Sequence, residues 1–210
     1  MPNLNGSIYG LTILSPIIDD DRATPSHDLQ IRRYLSTLPT GEKSPFAIAP
    51  GTHLARLVVM DDVIFVGLPA TEEHLKSKYL VFESNCDGDL DGYLRGLAIN
   101  AAEHLDAIWS HCVGYPGAAN PEKFAEYMKA CQIETSLYFA AVNDKTVAES
   151  LRALQTQRAV ADFIANHQHM EPAQLQAEFL QFAARLNAMP VPPAGSMNPR
   201  RELKIGGRNE

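Results

Sequence analysis

His53-Leu54-Ala55-Arg56-Leu57-Val58-Val59-Met60 and Tyr79-Leu80-Val81-Phe82-Glu83-Ser84 decide the reading of this chain. Both runs are dense in aliphatic and β-branched residues. Turn formers bound them, with Gly51 before the first, Asp61-Asp62 after it and Gly88 beyond the second. They read as strands. Working outward, residues 7–15 form an earlier strand that ends at Pro16, and residues 136–142 a later one. Residues 63–66 read as a short hairpin return.

Helical periodicity fills the intervals. Ile31, Tyr34, Leu35 and Leu38 follow Thr24-Pro25, an N-cap with proline at the first helical position. Leu90, Leu94, Leu97, Ala98, Ala101 and Leu105 keep one stripe over four turns. Residues 106–119 read as an ordered loop. Asn120-Pro121 opens a short helix with Phe124, Tyr127, Met128 and Cys131 on its inner side. A long helix starts behind Asn143 or Asp144 and runs to about residue 166. A last one opens at Pro172 and carries Leu175, Phe179, Phe182 and Leu186.

Without the irregular insertions the order is βαββαβ. That order predicts an α+β protein with a ferredoxin-like antiparallel sheet and a helical C-terminal extension. Residues 1–143 make the ferredoxin-like domain, residues 144–189 the C-terminal helices packed on it, and residues 190–210 a basic Pro/Gly-rich tail with Arg200, Arg201, Lys204 and Arg208.

Two-residue alternation sorts the strands into two faces. One takes Tyr9, Leu11, Ile13, Ala55, Leu57, Val59, Leu80, Phe82, Leu137, Phe139 and Ala141, all apolar or aromatic. The other mixes aliphatics with Thr12, Arg56, Glu83 and Tyr138. A face of that kind needs a cover, which is a second copy in a homodimer, the C-terminal helices, or a ligand held beneath a cover.

The 210 residues carry 18 Lys and Arg against 25 Asp and Glu, a net charge of −7 that repels phosphate backbones and argues against nucleic acid as a partner. The charge also argues against a membrane surface, and no apolar run reaches the ~18 residues of a membrane span. The first residues lack the basic and apolar regions of a signal peptide, so a cytoplasmic location is expected. The three cysteines, Cys86, Cys112 and Cys131, show no C-x-x-C spacing. No disulfide framework and no structural metal site is expected.

The chemistry-bearing groups are few. Arg56 and Glu83 share the mixed face on adjacent strands, either as a substrate-orienting pair or as a cross-strand ion pair. His53 sits at the mouth of a strand, placed for a general base or a haem axial ligand. Trp109-Ser110-His111-Cys112-Val113-Gly114-Tyr115-Pro116-Gly117 packs an indole, an imidazole, a thiol and a phenol into one loop. It serves as a functional loop or as an aromatic plug. Thr12, Tyr115 and Tyr138 complete the candidate ligand-binding set.

Gly51–Asp62, Tyr79–Gly88 and Trp109–Gly117 resemble segments of a group of bacterial proteins related to ferredoxin-like haem peroxidases of the dye-decolourising type. The similarity spans roughly residues 7–142. It implies the ferredoxin-like fold and names haem as a possible cofactor. Asp87-Gly88 lacks the leading glycine of the family's G-x-x-D-G signature, and the chain has one such unit where the peroxidases have two, so no catalytic roles are carried over. The expectation is a small-molecule-binding protein, an oxidoreductase of peroxidase or monooxygenase type, with Arg56 as anchor, His53 or His111 handling protons, and Glu83, Tyr138, Thr12 and Tyr115 around the ligand. The alternative is a non-catalytic interaction module that uses the same face as a subunit interface.

Overall fold

The computed structural model describes residues 3–197. Four strands, β1 (Leu4–Asn5), β2 (Ile8–Pro16), β3 (Thr52–Met60) and β4 (Tyr79–Asp87), form one antiparallel sheet in the order β1-β2-β4-β3. Among the described residues seven helices accompany it: α1 (His27–Thr37), α2 (Pro45–Ile48), α3 (Leu90–Asn100), α4 (Ala102–Trp109), α5 (Pro121–Ala130), α6 (Val147–Asn166) and α7 (Pro172–Ala188).

The register confirms the two faces for the three long strands. Leu11 pairs with Ser84, Ile13 with Phe82 and Ser15 with Leu80, while Leu57 pairs with Phe82 and Val59 with Leu80. This side is the core. Phe82 is fully buried and meets Trp109 edge-on with ring centroids 5.5 Å apart. Leu94, Leu97, Ile108, Phe124 and Met128 close the layer from α3, α4 and α5. Trp109, fully buried, donates its indole N–H to Ser15 Oγ at 3.2 Å, which satisfies two polar atoms inside an apolar interior.

The local signals place most helices within a few residues. Asn120 caps α5 through Lys123 N, and Pro121 stands in its first turn. Asp89 caps α3 through Gly92 N. The long stripe from Leu90 is two helices, because the backbone turns at Ala101 before α4 begins. α4 then runs to Trp109, so the first residues expected as loop are helix. α1 starts at His27 behind Ser26 rather than at Thr24. α6 starts behind Thr146, whose hydroxyl and Glu149 form a reciprocal capping box, rather than behind Asn143 or Asp144.

Two strand expectations are corrected. Residues 63–66 form no hairpin return. Ile64 and Val66 are exposed in the long β3–β4 connection. Residues 136–142 form no strand either. The chain bridges β2 at Gln132, where Leu14 N donates to Cys131 O and Ile133 N donates to Thr12 O, both at 2.9 Å. It meets β2's start again where Ser7 N donates to Asn143 O. Residues 132–143 thus run past residues 13–7, too many residues for a ladder in register. Asn3 and β1 also occupy that edge. Asn3 is buried, with its amide donating to Gly10 O and Thr135 Oγ1. Leu137 and Phe139, assigned to the core face by alternation, consequently stand in solvent.

The C-terminal helices form a hairpin with each other. Phe163 on α6 stacks on Phe182 of α7 at 4.7 Å between centroids, and Arg152 Nη1 donates to Met189 O beyond α7. Neither helix contains a buried residue. The two helices pack on each other through this aromatic cluster, and Val147 N at the head of α6 donates to Asp87 Oδ1 at the end of β4. Most of the basic tail, including its four cations, lies outside the described residues.

Candidate functional site

The mixed face of the sheet is ordered in cross-strand rows. Thr12, Glu83 and Arg56 stand side by side on β2, β4 and β3, and Gly10, Asn85 and Leu54 form the neighbouring row. Arg56 Nη2 donates to Glu83 Oε2, the pairing expected of opposite charges directly across a ladder. The Arg56 side chain remains 65% exposed, so most of its guanidinium faces outward beyond Glu83.

The irregular segment that replaces the expected last strand brings Tyr138 over this face. Its ring lies on Gly10, and a Cβ there would come within 2.7 Å of Cδ2 and Cε2. Gly10 makes room for an aromatic ring where any side chain would push it off. Asn5 Nδ2 holds the Tyr138 carbonyl at 3.3 Å. The hydroxyl of Tyr138 is buried and has no hydrogen-bond partner among the described residues. Burial, with a smaller contribution from Cys86, raises its pKa. Gly10, Thr12, Leu54, Arg56, Glu83, Asn85, Thr135 and Tyr138 together line an open cavity of about 350 Å³.

Four residues singled out from the sequence therefore share one cavity, namely Thr12, Arg56, Glu83 and Tyr138. Three do not. His53 occupies the irregularity in β3 between Thr52 and Leu54 and donates from Nε2 to Asp87 Oδ1 at 2.8 Å. The same oxygen accepts from Val147 N, at the start of α6. His53 is thereby tied to the end of the sheet and does not line the cavity.

His111 follows α4. Its Nδ1 lies 2.9 Å from His27 Nδ1, and its carbonyl accepts from Ile18 N. Burial first, and the neighbouring His27 second, hold its pKa below the ordinary imidazole range. His27 lines a separate cavity of about 400 Å³ with Asp28, Asp61 and Lys78. From Thr12 to Ile17, which lines that second cavity, is on the order of 15 Å along the strand. Tyr115 donates to Asp106 Oδ1 at 2.8 Å and packs edge-on against Phe124 and Tyr127. That phenol is a brace in the helix layer. Cys112 is buried and its thiol is pushed up to about 12, which removes it as a nucleophile at neutral pH.

Sequence reasoning missed Asn85, Thr135 and the seat that Gly10 gives the Tyr138 ring. Asn85 was within reach, because it continues the alternation of Val81 and Glu83 one step beyond Ser84. Asp87 and His27, the partners of the two histidines, carried no local signal.

The His53–Asp87 pair has the donor chemistry that orients an axial imidazole. A porphyrin also needs a slot with apolar walls facing that imidazole. The neighbouring cavity is open, carries the charged pair Arg56 and Glu83 in its lining beside Tyr138, and excludes His53. These residues do not fit haem. Among the described residues no group of three or more His, Cys, Asp or Glu is placed to hold a metal ion, and no helix is long and apolar enough to cross a membrane. No family model, curated protein or solved structure gives a significant match to the chain.

Proposed function

We propose that this protein binds a small polar molecule on the mixed face of its sheet, in the cavity between the Arg56–Glu83 pair and Tyr138. The observation that carries the reading is the row of Thr12, Glu83 and Arg56 along an open cavity of about 350 Å³, where the Arg56 side chain stays 65% exposed and keeps donors beyond its bond to Glu83. A ferredoxin-like reading of the frame is supported by the order of β2, β4 and β3, and residues 132–143 pass along the outer side of β2 without forming a strand.

The lining defines the ligand class. Arg56 and Glu83 cancel each other's charge, and Thr12, Asn85 and Thr135 add donors and acceptors without charge. A neutral polyhydroxy compound or a zwitterion matches this set better than a free anion. Arg56 turns its remaining donors toward the ligand, Glu83 accepts, and Tyr138 closes one end. Oxidoreductase chemistry draws no support from the histidines, since His53 is bound to Asp87 and His111 faces His27.

Saturation-transfer NMR against a library of sugars, amino acids and hydroxy acids tests the reading. A hit whose affinity falls about tenfold or more in Arg56→Ala and in Tyr138→Ala supports it. A library without hits, or hits indifferent to both variants, removes it. The second reading, a subunit interface on this face, is favoured by Leu54 and Val58, which are 50% and 47% exposed beside the cavity.

A further inference from the structure

Two imidazoles face each other between the head of α1 and the tail of α4. His27 is the first residue of α1, and His111 follows α4 by two residues. Their Nδ1 atoms are 2.9 Å apart and their ring centroids 5.1 Å apart, so the rings meet nearly head-on at hydrogen-bond distance. A bond between these two nitrogens needs one proton, carried by one Nδ1 and accepted by the other. A neutral pair makes it, and so does a pair with one charged ring. Two charged rings cannot, because both Nδ1 atoms are then donors and the charges repel.

The surroundings offer the second charge another partner. His27 lines the cavity of about 400 Å³, and so do Asp19 and Asp21, which hold no hydrogen bond or ion pair among the described residues. The other carboxylates of that lining are engaged. Asp28 accepts from Lys78 at 2.8 Å, Asp61 is bonded to Arg32 and lies 3.6 Å from Lys78, and Asp20 Oδ1 accepts from Arg22 N. Lys76 completes the charged lining. The charge that bears on the His111 ring is that of His27. A cation at the head of α1 also runs against the helix dipole.

Residues 19–26 form no helix or strand. One end of this segment is pinned by Ile18 N, which donates to His111 O at 2.9 Å, and the other by the His27 ring. We propose that the His27–His111 contact is a proton-operated latch: it holds the head of α1 on the tail of α4 while one Nδ1 stays unprotonated, and it opens when acid charges both rings, which frees residues 19–27 and one wall of the cavity. In the open arrangement the His27 imidazolium turns to Asp19 and Asp21. The element has two discrete states, and protons bind the open one more tightly. The latch stands apart from the Arg56–Glu83 cavity, so it and the ligand reading hold or fail separately.

Hydrogen exchange of the full chain, read by mass spectrometry at about pH 7.5 and about pH 5 and corrected for the intrinsic rates, tests it. The lower value stays above the ordinary carboxylate range of about 4, so the aspartates keep their charge. Peptides across residues 17–34 should lose protection roughly tenfold or more at the lower pH, while those of α3 and α5 keep theirs. Nitrogen-15 spectra of the imidazoles should show one of the two Nδ1 atoms unprotonated at neutral pH and both protonated where the loosening occurs. His111→Asn places an amide where Nδ1 stood, and that amide bonds His27 in either charge state. In this variant the loosening should disappear. His27→Asn is the reciprocal replacement and carries the same expectation should the first variant not fold. Equal protection of residues 17–34 at both pH values overturns the latch, and so does the same loosening in the asparagine variants.

Discussion

The ring of Tyr138 lies directly on Gly10, at a separation that leaves no room for a methyl group on the strand. The contact joins β2 to an irregular segment more than a hundred residues later, and it forms one end of the cavity that holds Arg56 and Glu83.

Gly10→Ala is therefore an overpacking substitution. It should cost about 1–3 kcal/mol and displace the tyrosine. Urea titration of Gly10→Ala, Tyr138→Ala and the double variant checks this. The double variant should be more stable than the sum of the single losses implies, because the clash vanishes with the ring.

Ser15→Ala leaves the Trp109 indole N–H without a partner in a fully buried setting, an expected loss of about 1–3 kcal/mol. Trp109 is the only tryptophan in the chain. Its fluorescence reports on this one place in the core, and the lowered denaturation midpoint should be read from it directly.

Stability should fall on the acid side partly through His111. Its folded pKa lies below the ordinary value of about 6.5, so the unfolded chain binds a proton that the folded chain refuses. The contribution is fully present above that value and is lost as the pH falls through it toward the folded pKa. His111→Gln should flatten the change in denaturation midpoint between pH 7.5 and 5.5 relative to the native chain. An unchanged slope would mean that the imidazole pair with His27 does not resist protonation.

Thiol reagents should separate the cysteines. Cys86 and Cys112 are buried and each is pushed up to about 12 by burial, whereas Cys131 is half-buried. In native buffer one thiol at most should react within minutes, and all three of the chain's cysteines should react in denaturant.

The legible part of this fold was the part with a strict period. β2, β3 and β4 sort their side chains by twos, so the sequence alone puts Arg56, Glu83 and Thr12 on one face. Residues 136–142 have the same alternation, yet β propensity cannot say whether an edge is vacant, and here Asn3 and β1 hold it. Tyr138 reached the expected face by a different route, carried there by a loop and admitted by Gly10. The partners of the two histidines were not legible because they are remote in sequence. Asp87 lies 34 residues from His53 and His27 lies 84 from His111. The helices of the hairpin were legible as helices, but an apolar stripe says only that something must cover it, and α6 and α7 cover each other.

Native mass spectrometry of the chain, alone and with a pool of small neutral polar and zwitterionic compounds, tests the central claim most directly. The account predicts an adduct on the native protein that is lost in Arg56→Ala, a variant expected to lose no more than about 1 kcal/mol of stability because its ion pair is largely exposed. An adduct that persists in Arg56→Ala and Tyr138→Ala alike, or no adduct from any compound in the pool, would contradict it.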